Sequence, residues 1–370
     1  MNALPDELLY AIALTMVPHI GAIQTRILLE HFHSARNVFK AGTRDLEYVP
    51  GIGTIRAREI RNFRDFSSVE REIEFLNKHH IKVLLYNDND YPKRLHHCED
   101  PPSVLYYKGN ADLNAEKVLS IVGTRRETDY GRDVLSEIMA GLSGTGILVL
   151  SGLAYGIDAI AHCLALKNGL LTVGVLAHGL DRLYPSLHNS LAREMLGKGG
   201  LITDFTSGVK PDKQNFPKRN RIVAGMADAL LVVESGLIGG SMITVNMAAD
   251  YNRDVFAVPG KIHDEKSEGC NLLIRNNRAN LARSAEDILI HMNWKKDANQ
   301  PVIQKEIFYP LNKDEKIIMA LLSDHGNMHI EALQRSVAIG PSAFSSALLN
   351  LEMERLVKAF PGKIYGLSGP

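Results

Sequence analysis

Between about residues 82 and 291, short runs rich in β-branched residues and leucine alternate with helical stretches, and this alternation limits the possible folds most. The runs are Val83–Tyr86, Val104–Tyr107, Val118–Val122, Ile147–Leu150, Thr172–Leu176, Leu201–Thr203, Ala229–Val233 and Val255–Val258. Helical spacing is read over 129–142, 155–167, 186–197, 217–226 and 241–251. Strands separated by helices of this length make βαβ units, whose parallel strands need helices on both faces. The expected fold is α/β, a Rossmann-like, doubly wound and mostly parallel sheet.

The flanks follow other patterns. Residues 1–80 read as helices broken at Pro18-His19-Ile20-Gly21 and Pro50-Gly51-Ile52-Gly53, each turn leading into a helix that carries Arg26 or Arg56, Arg58 and Arg61. A Gly turn opening a helix presents N–H groups and the positive end of the helix dipole, a fit for phosphate. The pair is similar to a helix-hairpin-helix module; an ordinary αα-hairpin or a protein-contact scaffold explains the same pattern. Thirteen basic residues face fourteen acidic ones through position 100. Residues 292–311 lose periodicity and read as a linker. Residues 312–370 read as three short helices and two closing strands, a winged-helix-like domain with Pro341 in the first turn of its third helix. That helix, PSAFSSALLNLEMERL, offers Arg355 as its cation and sets Glu352 and Glu354 against phosphate. Protein contact is expected of it rather than DNA reading.

A chain of 370 residues has room for two or three domains. With 45% hydrophobic and 23% charged residues it has the composition of a globular protein. The formal net charge of zero argues against a broadly basic nucleic-acid binder. Locally the balance differs: Lys210, Lys213, Lys218, Arg219 and Arg221 face the single acid Asp212. Cys98, Cys163 and Cys270 form no CxxC pair, so neither a disulfide framework nor a thiolate metal site is expected. Asp6 and Glu7 stand where a secretory leader would be positive, and no apolar run reaches membrane-spanning length. The expectation is a cytoplasmic protein with no membrane partner.

In a doubly wound sheet, ligands bind beyond the carboxyl ends of the strands. Four such ends are rich in glycine or in anion-binding residues. They are Ser120 to Arg126, containing Gly123, Thr124 and Arg125; Ser151 to Asp158; Phe216-Pro217-Lys218-Arg219-Asn220-Arg221; and Gly239-Gly240-Ser241. Together they describe a pocket for more than one phosphate, with Phe216 as a stacking surface of the kind that holds single strands without reading sequence. No GxGxxG fingerprint stands at Gly123 and no acid ends the following strand, so no nucleotide cofactor is expected. Asp158 and His162 are too few for a metal and read as a structural pair. His178 could line the rim. Ser151 lacks a base, and no Walker loop or nucleophile elbow is present. As an enzyme, the chain is poorly equipped.

The motifs then carry a resemblance. Val122-Gly-Thr-Arg125 with Tyr130-Gly131, SGLAYGIDAIAH at 151–162, GVLAHGLDRLYP at 174–185, FPKRNRIVAG at 216–225, GGSMIT at 239–244 and VFAVPG at 255–260 occur in this order. Across 82–291 the chain resembles the DNA-processing protein A (DprA/Smf) family. The resemblance implies single-stranded DNA binding, protection of incoming DNA during natural transformation, and loading of the RecA recombinase, with single-strand binding protein as a further candidate partner. It also implies a homodimer through the Rossmann-like core. Carried over by motif, the DNA-binding residues are Gly123, Thr124, Arg125, Phe216, Arg219, Asn220, Arg221, Gly240 and Ser241; Lys218 joins them from the basic run. Alanine at Arg125 or Arg219 is then expected to weaken binding of any sequence and flatten its salt dependence. Gly239-Gly240-Ser241 replaces the family's Ser-Gly-Ser, Thr203-Asp204-Phe205-Thr206 its Ser-Glu-x-Pro, and Asn276-Asn277-Arg278-Ala279 an Asp-Gly turn. The alternative is a Rossmann-like nucleotide-processing enzyme related to the lysine-decarboxylase-like phosphoribohydrolases, for which Glu234 is the available acid.

Overall fold

The computed structural model describes residues 5–295, 311–354 and 356–367. The chain forms two compact units, Met1–Lys296 and Asp297–Pro370. Residues 296–310 of the expected linker, and Arg355, lie outside the described residues.

Six helices open the first unit: α1 (Pro5–Met16), α2 (Ala22–Phe32), α3 (Ala35–Lys40), α4 (Thr43–Tyr48), α5 (Gly53–Asn62) and α6 (Phe66–Lys78). Side-chain caps set some of their starts. Ser34 accepts from the Asn37 N–H at 3.1 Å and Asp65 from the Ser68 N–H at 3.2 Å, each satisfying a donor that the first turn leaves open. The two hairpin turns are tied together by one side chain: Arg56 donates to the His19 carbonyl at 2.9 Å and the Gly51 carbonyl at 2.8 Å. Arg61 is taken up by the Phe39 and Ala41 carbonyls, and Arg26 by the Cys98 carbonyl and Glu30. Of the four arginines in the helices after the two turns, three therefore hold backbone carbonyls, and Arg58 is exposed.

The alternating region then supplies, in order, β1 (Lys82–Leu85), β2 (Val104–Gly109), β3 (Val118–Val122), α7 (Asp129–Gly141), β4 (Leu148–Ser151), α8 (Ile157–Lys167), β5 (Thr172–Val175), α9 (Asn189–Gly197), β6 (Gly199–Thr203), α10 (Asn215–Gly225), β7 (Ala229–Val232), α11 (Gly240–Asp250), β8 (Asp254–Ala257), α12 (Glu268–Arg275), β9 (Asn280–Leu281) and α13 (Ala285–His291). The eight expected strands and five expected helices are present. α12, β9 and α13 are further elements, too short to show a period in the sequence.

One nine-stranded sheet runs β1-β2-β6-β5-β4-β3-β7-β8-β9. β2 is antiparallel to both β1 and β6, and every other pairing is parallel. Both faces are covered, which is why β3 is apolar apart from Ser120 rather than alternating with charge. Leu119 and Ile121 point into a layer with Leu135, Ile138 and Met139 of α7 and Ala161 of α8. Val118 and Val122 point the other way, toward Ile222 and Val223 of α10 and Val245 and Ala248 of α11. The opening helices pack on the antiparallel edge, where Val104 and Tyr106 of β2 share a core with Ile12, Leu28, Leu46 and Ile60. No helix of the described residues is long and apolar enough to cross a membrane.

The chain leaves β3 toward β4 on one side and returns to β7 on the other. This reversal opens a crevice above the carboxyl end of β3.

The second unit contains α14 (Lys313–His325), β10 (Met328–His329), α15 (Ile330–Ser336), α16 (Pro341–Met353), β11 (Val357–Phe360) and β12 (Ile364–Leu367), with sheet order β10-β12-β11. It has a winged-helix layout around Ile318, Leu322, Leu333, Phe344, Leu348 and Leu351. Asn312 and Glu315 form a reciprocal capping box at the start of α14, both bonds 2.9 Å.

Candidate nucleic-acid interface

A cleft of ≈ 290 Å³ lies above the carboxyl ends of β3, β4 and β7. Gly123, Thr124 and Arg125 form the turn after β3, Gly152 and Ala154 that after β4, and Ser235 to Ser241 lead from β7 into α11. One face of α10 closes the cleft with Phe216, Arg219, Asn220 and Val223, the i, i+3, i+4, i+7 stripe of a helix. The four chain segments singled out in the sequence meet here.

Their side chains differ in what they are free to do. Arg125 is exposed, and its guanidinium lies over the Phe216 ring, 5.1 Å from the centroid. Among the described residues no hydrogen bond or ion pair holds it. At the opposite lip α11 has Gly239 as N-cap and no side-chain cap, so its first-turn N–H groups stand open beside the cleft. Ser241 Oγ is 2.8 Å from Ser235 Oγ, and Asn220 Nδ2 donates to the Gly240 carbonyl at 3.4 Å. A cation, an aromatic face, open amides and hydroxyls thus surround one space, the donor set that a phosphodiester and its base require.

Arg219 is placed otherwise than its sequence context suggests. It is only 4% exposed and lies at the cleft floor, where Nη1 donates to the Gly152 carbonyl at 2.5 Å and to the Val175 carbonyl. Nε donates to Asn220 Oδ1 at 3.1 Å. Burial lowers its pKa to about 10, so the charge persists at neutral pH. Asp158 lines the same floor and accepts from the Ala154 N–H at 3.4 Å. Burial raises its carboxyl above the usual range, and Arg219 opposes that rise.

Lys218 and Arg221 do not reach the cleft. They lie on another face of α10, over a groove bordered by Ile20 to Thr25 and Phe205. Arg221 is paired with Asp204 at 2.5 Å and donates to the Asp100 carbonyl. Against the pull of burial, Asp204 and Asp100 hold its charge on. Asp204 belongs to the loop Thr203-Asp204-Phe205-Thr206. Lys210, Lys213 and Lys218 remain exposed.

Asp158 and His162 are not a pair: His162 Nδ1 lies 2.6 Å from Thr172 Oγ1, and burial lowers its pKa to about 3. Ser151 donates to the Ile121 carbonyl at 2.6 Å. His178 is buried and bonded within its own loop. Glu234, almost fully buried, accepts from the Thr128 N–H at 2.9 Å and from the Thr128 hydroxyl. A Cβ at Gly131 would sit 2.5 Å from that carboxyl, so the glycine admits Glu234 to the start of α7. Gly156 has φ 77°, and a Cβ there would lie 2.3 Å from the Thr124 carbonyl; only glycine lets α8 support the Arg125 turn. No group of three or more potential metal ligands occurs among the described residues.

Tyr155 and Tyr184, within two of the quoted motifs but given no role in the sequence reading, border the cleft on the β4 and β5 side with Phe216. The signal in the sequence is an aromatic within the loop that follows a strand, which periodicity cannot separate from a core aromatic.

Comparisons with known proteins bear on the same regions. The family model for DNA recombination-mediator protein A matches residues 82–293, that for the DprA winged helix domain residues 309–363, and that for the helix-hairpin-helix motif residues 8–73. Protein Smf of Synechocystis sp. is 35% identical over 278 residues, 73% of this chain and 69% of that protein. The X-ray structure of DNA processing protein A from Streptococcus pneumoniae superposes with a TM-score of 0.67 at 31% identity, covering 76% of this chain and 97% of that one. A structure of DNA processing protein A from Helicobacter pylori, described for its single-stranded DNA binding mode, gives a TM-score of 0.53 at 27% identity, covering 58% and 95%.

Proposed function

Because the chain belongs to the DNA recombination-mediator protein A (DprA/Smf) family, we propose that the cleft above β3 binds single-stranded DNA without reading its sequence. The observation that carries this reading is the exposed Arg125 guanidinium over Phe216, in one cleft with the uncapped start of α11. A phosphate between Arg125 and the α11 amides gains charge-assisted bonds, and the adjoining base stacks on Phe216. None of these contacts distinguishes one base from another. Gly123 and Thr124 shape the turn, Asn220 and Ser241 add polar contacts, and Gly240 lets the strand approach the backbone.

Loading of RecA onto the bound strand, cooperation with single-strand binding protein and pairing of two copies through the sheet domain complete the proposal; family membership is their support. Two cleft-bearing copies on one strand would raise a modest single-site affinity through effective concentration. Assembly of RecA on DNA coated with single-strand binding protein, with and without this protein, tests that part.

Phe216→Ala is expected to lower affinity for oligonucleotides about tenfold, the worth of one stacked base, while leaving the salt slope unchanged. Fluorescence anisotropy at several salt concentrations reads both quantities. An unchanged affinity removes Phe216 from the site.

The nucleotide-processing alternative depended on Glu234, whose carboxylate is engaged at the start of α7 and does not line the cleft. Glu234→Gln puts an amide donor against the Thr128 donors and is expected to cost about 1–3 kcal/mol of stability, read from the denaturant midpoint. Release of free base from nucleoside monophosphates, abolished by this substitution, would restore the enzyme reading.

A further inference from the structure

The carboxyl edge of the sheet continues beyond Arg125, on the side away from Ser241. There the chain after β4 carries Tyr155 and the loop after β5 carries Tyr184, 43% and 44% exposed. With Arg125, Gly152, Ala154, His178 and Phe216 they line a shallow depression that contains no carboxylate. The Tyr184 ring centroid is 6.1 Å from that of Phe216, the planes tilted by 55°.

Buried histidines hold the Tyr155 ring and the backbone of Tyr184. Tyr155 meets His188 edge-on at 5.4 Å, and His188 Nδ1 lies 3.0 Å from the Leu153 carbonyl. The Tyr184 N–H donates to His178 Nε2 at 3.2 Å, while His178 Nδ1 faces the Gly179 carbonyl at 2.9 Å. A neutral imidazole with its proton on Nδ1 satisfies both bonds of His178. Two aromatic side chains are therefore positioned by the fold, yet each leaves much of its surface to water beside an exposed guanidinium. Such a surface is costly to leave uncovered and suits flat, weakly polar rings.

We propose that Tyr184 and Tyr155 form a stacking shelf that receives the bases next to the one on Phe216, so that a single strand crosses the carboxyl edge from β7 over β3 and β4 to β5. This rests on the reading of the cleft as a single-stranded DNA site. The four strands are consecutive in the sheet. At ~4.8 Å between neighbours they span roughly 14 Å, the length of about four nucleotides at the ~3.4 Å spacing of a stacked strand. Bases fit the shelf better than a peptide does, because stacking on Tyr and Arg faces accepts every base and the depression supplies no acid to pair with a basic side chain.

The test titrates the full chain with an oligothymidylate long enough to cross the whole edge. Tyr184→Ala and Tyr155→Ala should each weaken binding about tenfold at constant salt slope, with Tyr184→Trp and Tyr155→Phe retaining affinity. Oligonucleotides carrying 5-iodouracil should crosslink to Tyr184 or Tyr155 as well as to Phe216. Weakening by Arg125→Ala and Phe216→Ala, with both tyrosine variants at wild-type affinity and no tyrosine crosslink, overturns the shelf and keeps the cleft. Unchanged affinity in all four variants overturns the cleft itself.

Discussion

Arg125→Ala is expected to reduce affinity for single-stranded oligonucleotides of any sequence by about ten- to a hundredfold and to make binding less sensitive to salt. The guanidinium is exposed, lies over Phe216 and has no ion-pair partner among the described residues, so its charge is available to a phosphate. A hydrogen bond to a charged group contributes about 1.5–3 kcal/mol, which sets the range of the loss. Each phosphate contact removed should lower the slope of log K against log salt by ~0.7 for a single strand. Stability should change little, because among the described residues no hydrogen bond or ion pair is lost, and buried Asp158 keeps Arg219, the stronger of its two cationic neighbours. Titrations at a series of salt concentrations, with a denaturation curve beside them, measure all three quantities. Wild-type affinity and slope in this variant would remove the central contact of the proposed site.

Arg219→Ala has a different expected outcome, and the difference separates the two arginines. Removing this guanidinium leaves the Gly152 and Val175 carbonyls without their donor and Asp158 buried without its nearby cation. Breaking a buried charged contact of this kind costs about 3–5 kcal/mol, a large part of a domain's stability. The denaturant midpoint should fall steeply. Lysine should rescue poorly, since an ammonium cannot hold two carbonyls and Asn220 Oδ1 in the same planar arrangement. At temperatures where the variant stays folded, the salt slope should match wild type, because a buried cation that faces carbonyls is not exchanged against counterions. Loss of slope with unchanged stability would make Arg219 a phosphate contact after all.

The two cases show how far sequence reading reaches into the site. Phe216, Arg219 and Asn220 share a helical stripe, and Lys218 and Arg221 lie off it; that much follows from 3.6 residues per turn. By charge alone, the three cations of the Lys218–Arg221 run look alike, all joining Arg125 around a pocket for more than one phosphate. Asp204 and Asp100, distant in sequence, take up Arg221, and two carbonyls from separate strand ends take up Arg219. The same holds in the opening helices, where Arg56 binds carbonyls of both hairpin turns. An arginine's task depends on what lies within a few ångströms, and local sequence does not contain that information. Glu234 belongs to the same group: its partner Thr128 is 106 residues away.

By itself the sequence determined the doubly wound α/β core, its flanking helical and winged-helix segments, the family, and the strand ends around which a ligand can be held. These follow from periodicity, turn chemistry and motif order, all of which act within a few residues. Tertiary structure alone decided that β3 lies between β4 and β7, so that the four segments converge on one crevice, and that Tyr155 and Tyr184 continue it toward β5. It also decided which cations remain free, leaving Arg125 at the cleft while Arg219 and Arg221 hold the fold together. The physical reason is that strand order and ion pairing depend on burial and on contacts between residues far apart in the chain, whereas secondary structure is largely a local choice.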